Sequence, residues 1–368
     1  MEARVNKSVL ISPQALAISA KPPGVVTIPI SDREQWLKLR EADVTASVVG
    51  AILGVSPYTT YWGLWMLKAG RMPPDHVASE PEISADGNEI TLPPAARGHQ
   101  REPEAISMLN LLRPDWRVSY PLSSYWRDPA RRLGATPDCL VVDPARAGFG
   151  VVQVKSVAPH VYAEQWTDPD TREIVPPVWV VLQAMMEMRL TGAAWAAVAV
   201  HRENYGSRPS VRLIEIPDHA AVWARIIADT AEFWASIEAS AEPAPDFKRD
   251  AEGIMRLYRD AEDRTVDLDG ERAARVAAIL DQRAKLKEIE GQGSAAEKDR
   301  KVVDAEIIHA LGNAEAGRLP DGRIIRAPTQ RRSTIDAAVV RKEMGVEWAA
   351  ARSKTTAFRT IRVSGEAA

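Results

Sequence analysis

Cysteine is almost absent from this sequence. Cys139 is the only one in 368 residues, so no internal disulfide can form and no Cys/His zinc cluster can be built. The six histidines (His76, His99, His160, His201, His219 and His309) are scattered rather than grouped. A cytoplasmic protein is the expectation. Long apolar runs are missing too. The richest, Val178 to Leu190, is broken by Gln183, Glu187 and Arg189, and no N-terminal stretch pairs a basic start with an apolar core. No membrane association is expected. A Gly-x-x-x-x-Gly-Lys-Ser/Thr loop is also lacking, which excludes a P-loop motor. Positive charge is not in surplus: 47 Lys and Arg against 50 Asp and Glu leave a net charge of −3. Any phosphate-bearing partner must therefore be met by local charge. Such a concentration exists from Gly317 onward, where 11 basic side chains stand against 5 acidic ones, among them Arg323, Arg326, Arg331, Arg332, Arg341, Lys342 and Arg359.

What is present is an ordinary globular composition, 45% hydrophobic and 26% charged, at a length that suggests two domains or one with a large extension. The first 30 or so residues carry KPPG and no periodicity, and are expected as a loose arm. A core is expected over 31–245. It opens with three helices: SDREQWLKLREA behind a Ser/Asp cap, TASVVGAILG, and YWGLWMLKAG ending at Gly70. Residues 71–97 read as a surface loop, and EPEAISMLNLL as the next helix, stopped by Pro114. The period then changes. WRVSYPLSSYW, RLGATPDCLVVD and GFGVVQVKSV read as a three-stranded antiparallel meander, followed by the helix PVWVVLQAMMEMRLTG, two strands (AAWAAVAVHR and SVRLIEIP) and the helix HAAVWARIIADTAEFWASIEA. This order predicts an α/β fold with a central mixed sheet flanked by helices. AEPAPD marks the expected boundary, and 246–368 an extension with a helical hairpin over about 270–312 and a basic tail of strand and helix, its DG turn suggesting a β-hairpin.

One stretch concentrates chemistry. In GATPDCLVVDPARAGFGVVQVKS, two strands joined across a turn centred near Arg146 and Ala147 would set Asp138 opposite Lys155 and Leu140 opposite Gln153. Residues two apart share a face, so Asp138, Gln153 and Lys155 would project into one volume. A carboxylate and an amide oxygen suit Mg²⁺ or Mn²⁺, and a nearby Lys can orient an attacking water. Glu102 and Glu104, near the start of the preceding helix, are candidates to assist or to hold a second cation. Gln183 is a polar residue on an apolar helix, so it needs a partner and is expected to cap a strand or touch the site. Arg40 lies seven residues before Ser47, and a helix N-terminus carrying the Thr45 and Ser47 hydroxyls beside an Arg would make an anion pocket.

In order, VTASVVGAILGVSPYTTYWGLWMLKAG, GHQREPEA, GATPDCLV, VVQVKS and LQAMMEMRLTG resemble the YqaJ-type viral recombinase nucleases, relatives of phage lambda exonuclease in the PD-(D/E)xK superfamily. The resemblance spans about residues 40–192. It implies a restriction-endonuclease-like core, with the C-terminal hairpin as the family's common extension. It makes Asp138 the metal Asp, Lys155 the catalytic Lys, Glu102 the Glu of the preceding helix and Gln183 the Gln of the following one. Arg40 and Ser47 then match the positions that hold a 5′ phosphate. The function so implied is that of a Mg²⁺-dependent exonuclease of phage or prophage recombination, active in the host cytoplasm. Such enzymes digest one strand of linear duplex DNA from 5′ to 3′, hand a 3′ strand to an annealing protein, and often form homo-oligomers such as trimeric rings. The sequence departs at one ligand, because Gln153 stands where Glu or Asp is expected. A neutral amide supplies no charge, which keeps a second reading open: a weak or inactive DNA-end-binding subunit. Retention of Asp138, Glu102 and Lys155 together favours an active, modified site.

Overall fold

The computed structural model describes residues 20–72, 90–120, 123–203 and 209–258, with short pieces outside these ranges. The chain divides into two compact units, Met1–Arg259 and Asp260–Ala368. In the first, the order is β1 (Val26–Pro29), α1 (Arg33–Ala42), β2 (Val44–Thr45), α2 (Val49–Ile52), α3 (Tyr61–Lys68), β3 (Glu82–Ile83), β4 (Ile90–Thr91) and α4 (Pro94–Leu112). It continues with β5 (Arg117–Ser119), β6 (Ser124–Asp128), β7 (Leu133–Ala135), β8 (Cys139–Val142), β9 (Gly150–Val157) and α5 (Pro159–Gln165). It ends with α6 (Val178–Thr191), β10 (Trp195–Arg202), β11 (Ser210–Ile216), α7 (Ala220–Glu238) and α8 (Phe247–Leu257). In the second unit Ala316–Arg318 pairs antiparallel with Ile324–Arg326, as the DG turn suggests. The helical hairpin expected over about 270–312 lies outside the described residues apart from isolated positions, as does most of the basic tail. Among the described residues, no helix is long and apolar enough to cross a membrane.

Among the described residues the fold is mixed α/β with two main sheets rather than one, beside the two-stranded pairs β3–β4 and Ala316–Arg318 with Ile324–Arg326. The larger has the order β11-β10-β9-β8-β5, the smaller β1-β6-β7-β2. Only β9 and β10 run parallel in the larger sheet, because α5 and α6 carry the chain across between them. The expected meander is corrected by this division. WRVSYPLSSYW contributes β5 to the large sheet and β6 to the small one, and RLGATPDCLVVD contributes β7 to the small and β8 to the large. Between β7 and β8 lies Thr136-Pro137-Asp138, where proline offers no N–H to either ladder. Within the expected loose arm, Val26–Pro29 forms a strand that pairs with Ser124–Arg127.

Helix α6 is apolar on nearly every side and largely buried, as its position requires. It lies between the sheets, touching β9 and β10 on one side and β6 and β7 on the other. Helix α4 covers the opposite face of the large sheet, where Ala105 and Leu109 pack on Cys139, Val141, Val152, Val154, Ala197 and Ala199. With both faces covered, β9 and β10 read as near-continuous apolar runs.

Three helix expectations change. TASVVGAILG is helical only over Val49–Ile52. Its β-branched Thr45 and Val48 have low helix propensity, and Val44–Thr45 instead pairs in parallel with Leu133–Gly134. Helix α4 begins at Pro94, since a proline that reads as loop also fits the first helical position. Glu102 therefore sits mid-helix rather than near its start. Helix α8, beyond the expected boundary at 245, belongs to the first unit: Asp246 caps it, and Thr60 Oγ1 donates to Asp250 Oδ1 at 2.6 Å.

Gly134 is fixed by contact rather than by backbone angle. A Cβ there would overlap the Tyr125 hydroxyl and ring, and Tyr125 is fully buried. Gly134→Ala should lower stability by roughly 3 kcal/mol, read as a shift in urea midpoint at unchanged slope. An unshifted midpoint would show that Tyr125 can move aside.

Candidate active site

The centre of the candidate site lies where β8 stops short of β9. Asp138 stands directly before β8, and its Oδ2 accepts the Val154 N–H at 2.8 Å. The side chain thus replaces the ladder partner that a longer β8 would have supplied. Gln153 Nε2 donates to the same oxygen and to the Val154 carbonyl, the latter at 3.3 Å. Cys139 pairs with Val152 and Leu140 with Val151, so the next position sets Asp138 opposite Gln153. The expected register, Asp138 against Lys155 and Leu140 against Gln153, is out by two residues. The turn is tighter because Asp143 Oδ1 caps the Ala145 N–H at 2.8 Å and Asp143 O accepts from Arg146 N at 3.1 Å. A shift of two preserves facing, so Asp138, Gln153 and Lys155 still share one side.

From Gln153 a chain of amides leads into α6. Gln183 Nε2 donates to Gln153 Oε1 at 2.9 Å and to Glu187 Oε1 at 3.0 Å. Gln153 is 2% exposed, Gln183 7% and Glu187 1%. This orientation gives both amide nitrogens acceptors, and it turns the Gln153 nitrogen, not its oxygen, toward Asp138. Burial pushes the Asp138 carboxyl up to about 7, with Lys155 opposing and Glu102 adding to the rise. Burial also pushes Glu187 well above the usual carboxylate range, with the charge of Asp138 next in effect. Glu187 is the residue that sequence reasoning missed. It was legible only as an interruption of an apolar run, although Gln-x-x-x-Glu places both side chains on one stripe of a helix.

Lys155 is half-buried, with Nζ 5.6 Å from the centre of the Trp179 ring, whose centroid lies 5.1 Å from that of Tyr58 in an edge-on pair. Glu102 reaches the same neighbourhood from α4. His99 Nδ1 lies 3.5 Å from its Oε2, and this hydrogen bond raises the imidazole's pKa. Burial, then the charge of Glu102 and a hydrogen bond to it, push the Tyr120 phenol up. Glu104 points elsewhere, pairing with Arg101 at 3.2 Å on the surface. Among the described residues, no three His, Cys, Asp or Glu side chains already converge as a metal cage.

The candidate anion pocket is assembled differently from the expectation. Thr45 lies on β2 and Ser47 in the turn after it, not on a helix N-terminus. The grouping holds nonetheless: Arg40 Nη2 donates to Ser47 Oγ at 2.8 Å, and Thr45 Oγ1 is 3.1 Å from Ser47 Oγ. The Arg40 guanidinium stacks 4.4 Å from the Trp36 ring centre. Lys68, not singled out from the sequence, donates to the Arg40 carbonyl at 2.5 Å, and burial with the charge of Arg40 lowers its ammonium to about 8.

The model of the YqaJ-like viral recombinase domain matches residues 35–194. The matched segment is similar to that domain and spans less than half of the chain. It contains Arg40, Thr45, Ser47, Glu102, Asp138, Gln153, Lys155, Gln183 and Glu187. Among solved structures, the alkaline exonuclease LHK-Exo from Laribacter hongkongensis is 20% identical, aligned over 60% of this chain and 99% of its own with a TM-score of 0.36. Its complex with dAMP gives the same values. The protein SSO0001 is 11% identical, over 54% of this chain and 81% of its own, with a TM-score of 0.28. No curated protein matches the chain.

Proposed function

We propose that this protein is a metal-dependent deoxyribonuclease that digests one strand of linear duplex DNA from its 5′ end. The observation that carries the reading is the meeting of Asp138 and Gln153 across β8 and β9, with Lys155 on the same strand face and within a YqaJ-like domain. The donors fit a hard divalent cation: they are oxygens, Asp138 is desolvated, and a buried carboxylate oxygen of Glu187 lacks a partner. Asp138 and Glu102 would hold Mg²⁺, with Mn²⁺ as a substitute, and Gln153 would join them through Oε1 on rotation of its amide, since Nε2 faces Asp138 in the metal-free protein. When bound, the cation supplies Lewis-acid polarisation of the scissile phosphate. Lys155 orients the attacking water and offsets charge developing on the phosphate. Gln183 holds the Gln153 amide by its 2.9 Å bond. Arg40, Ser47 and Thr45 receive the terminal 5′ phosphate through charge-assisted hydrogen bonds. The same reading extends to a homo-oligomer, such as a trimeric ring, that passes its 3′ strand to a phage annealing protein in the bacterial cytoplasm.

Linear duplex should be shortened in Mg²⁺ and spared in EDTA, and closed circular duplex should be spared in both. Arg40→Ala should reduce the preference for 5′-phosphorylated over 5′-hydroxyl ends by about tenfold or more, measured as the ratio of initial rates. An unchanged ratio would remove Arg40 from end recognition. One observation favours a second reading, an end-binding subunit that does not cut: Gln153 turns its N–H toward Asp138. Gln153→Glu separates the two. Activity created from none would make the native protein the binder.

A further inference from the structure

We propose that Glu187 supplies the acidic charge that Gln153 does not, making it a further carboxylate of the cation site. The inference rests on the nuclease reading. Glu187 lies one helical turn beyond Gln183 on α6 and is 1% exposed. Its Oε1 accepts from Gln183, while Oε2 is enclosed and has no hydrogen-bond partner. Other buried polar side chains of the same unit show what a structural role looks like here. Thr191, also on α6, donates to the Glu187 carbonyl at 2.8 Å, and Asp43 takes both arms of Arg127 and the Tyr125 hydroxyl. An open buried acceptor costs free energy unless a charge offsets it: Glu203, whose two oxygens also lack hydrogen bonds, lies 3.8 Å from Arg97 Nε.

The open oxygen belongs to the site by connection as well as by position. Hydrogen bonds run without a break from Glu187 through Gln183 and Gln153 to Asp138. The charges acting on Glu187 are those of Asp138, Lys155 and Glu102, the other members of the site. A hard divalent cation is favoured by anionic oxygen, and the exchange of a strand carboxylate for Gln153 removes one such group. Glu187 restores it from the adjacent helix, reaching the same volume from the side of α6.

The test measures Mn²⁺ binding to the full-length protein, without DNA, by titration calorimetry and by the loss of free-ion paramagnetic signal. Wild type is compared with Glu187→Gln, Asp138→Asn and the double exchange Gln153→Glu/Glu187→Gln. Glu187→Gln should weaken Mn²⁺ binding by at least about tenfold, and the double exchange should recover most of that loss, since it returns the charge to the strand. Glu187→Met, close in volume, carries the same expectation if the Gln variant does not fold. Loss of binding in Asp138→Asn with wild-type binding in Glu187→Gln would overturn this inference and leave the nuclease reading standing. A double exchange no tighter than Glu187→Gln would also overturn it, because charge would then not be what Glu187 provides. Unaltered binding in both single variants would bring down the cation site itself.

Discussion

Asp138→Asn is expected to lower strand cleavage by about 10³-fold or more while leaving the fold intact, because it removes the one carboxylate that touches both Gln153 and the β9 backbone. The asparagine oxygen can still accept the Val154 N–H, so the loss should fall on chemistry rather than on assembly. The same substitution carries a signature in stability. In the metal-free protein burial holds the Asp138 carboxyl at about 7, above its unfolded value. The folded chain thus binds this proton more tightly than the unfolded chain, and the corresponding stability is present below the unfolded pKa and lost as pH rises toward 7. The change is on the order of 2 kcal/mol for a coupled acid beside a lysine. Urea midpoints in EDTA should fall between pH 5 and pH 8 for the wild type and fall less for Asp138→Asn, the remaining slope belonging to Glu187. Equal slopes in both proteins would show that Asp138 is not held protonated.

Asp43→Ala should be the most destabilising single change near the anion pocket, by about 3–5 kcal/mol, or roughly 10 °C in melting temperature. Asp43 has no exposure and follows α1 directly. Arg127 Nε approaches its Oδ2 at 2.8 Å and Nη2 its Oδ1 at 2.9 Å, and the Tyr125 hydroxyl adds a bond at 3.1 Å. Truncation would leave a guanidinium and a phenol unpaired, with Tyr125 wholly enclosed. Asp43 also joins Arg40 to Thr45 along the chain, so the pocket should loosen with it and preference for 5′-phosphorylated ends should fall. Glu34→Ala provides the contrast. It removes an exposed pair with Lys38 on α1, whose loss should leave the melting temperature nearly unchanged. Similar melting temperatures for the two variants would contradict this role of Asp43.

Much of the architecture was legible where local signals are strong. Asp32 caps α1 by accepting the Gln35 N–H, and Gly192 ends α6 in the left-handed region at φ 77°. Strands β9, β10 and β11 fall where their β-rich runs lie. The shared facing of Asp138, Gln153 and Lys155 was also legible, since strand alternation survives a register error of two. What could not be read depends on tertiary partners. Two-residue β2 exists only because β7 lies beside it, and the register of β8 on β9 rests on the Asp143 turn. Glu187 gained meaning only when α6 was placed between the sheets, bringing Gln183 within reach of Gln153.

The proposed nuclease is tested most directly by digestion of a linear duplex with one 5′-phosphorylated end, in Mg²⁺ or Mn²⁺, by wild type and Lys155→Ala, with duplex binding measured in parallel. The wild type should shorten the duplex from the phosphorylated end, the variant should lose about 10³-fold or more of that activity, and both should retain duplex binding. A wild type that binds the duplex without shortening it, or a Lys155→Ala variant that digests it at the wild-type rate, would contradict the proposal.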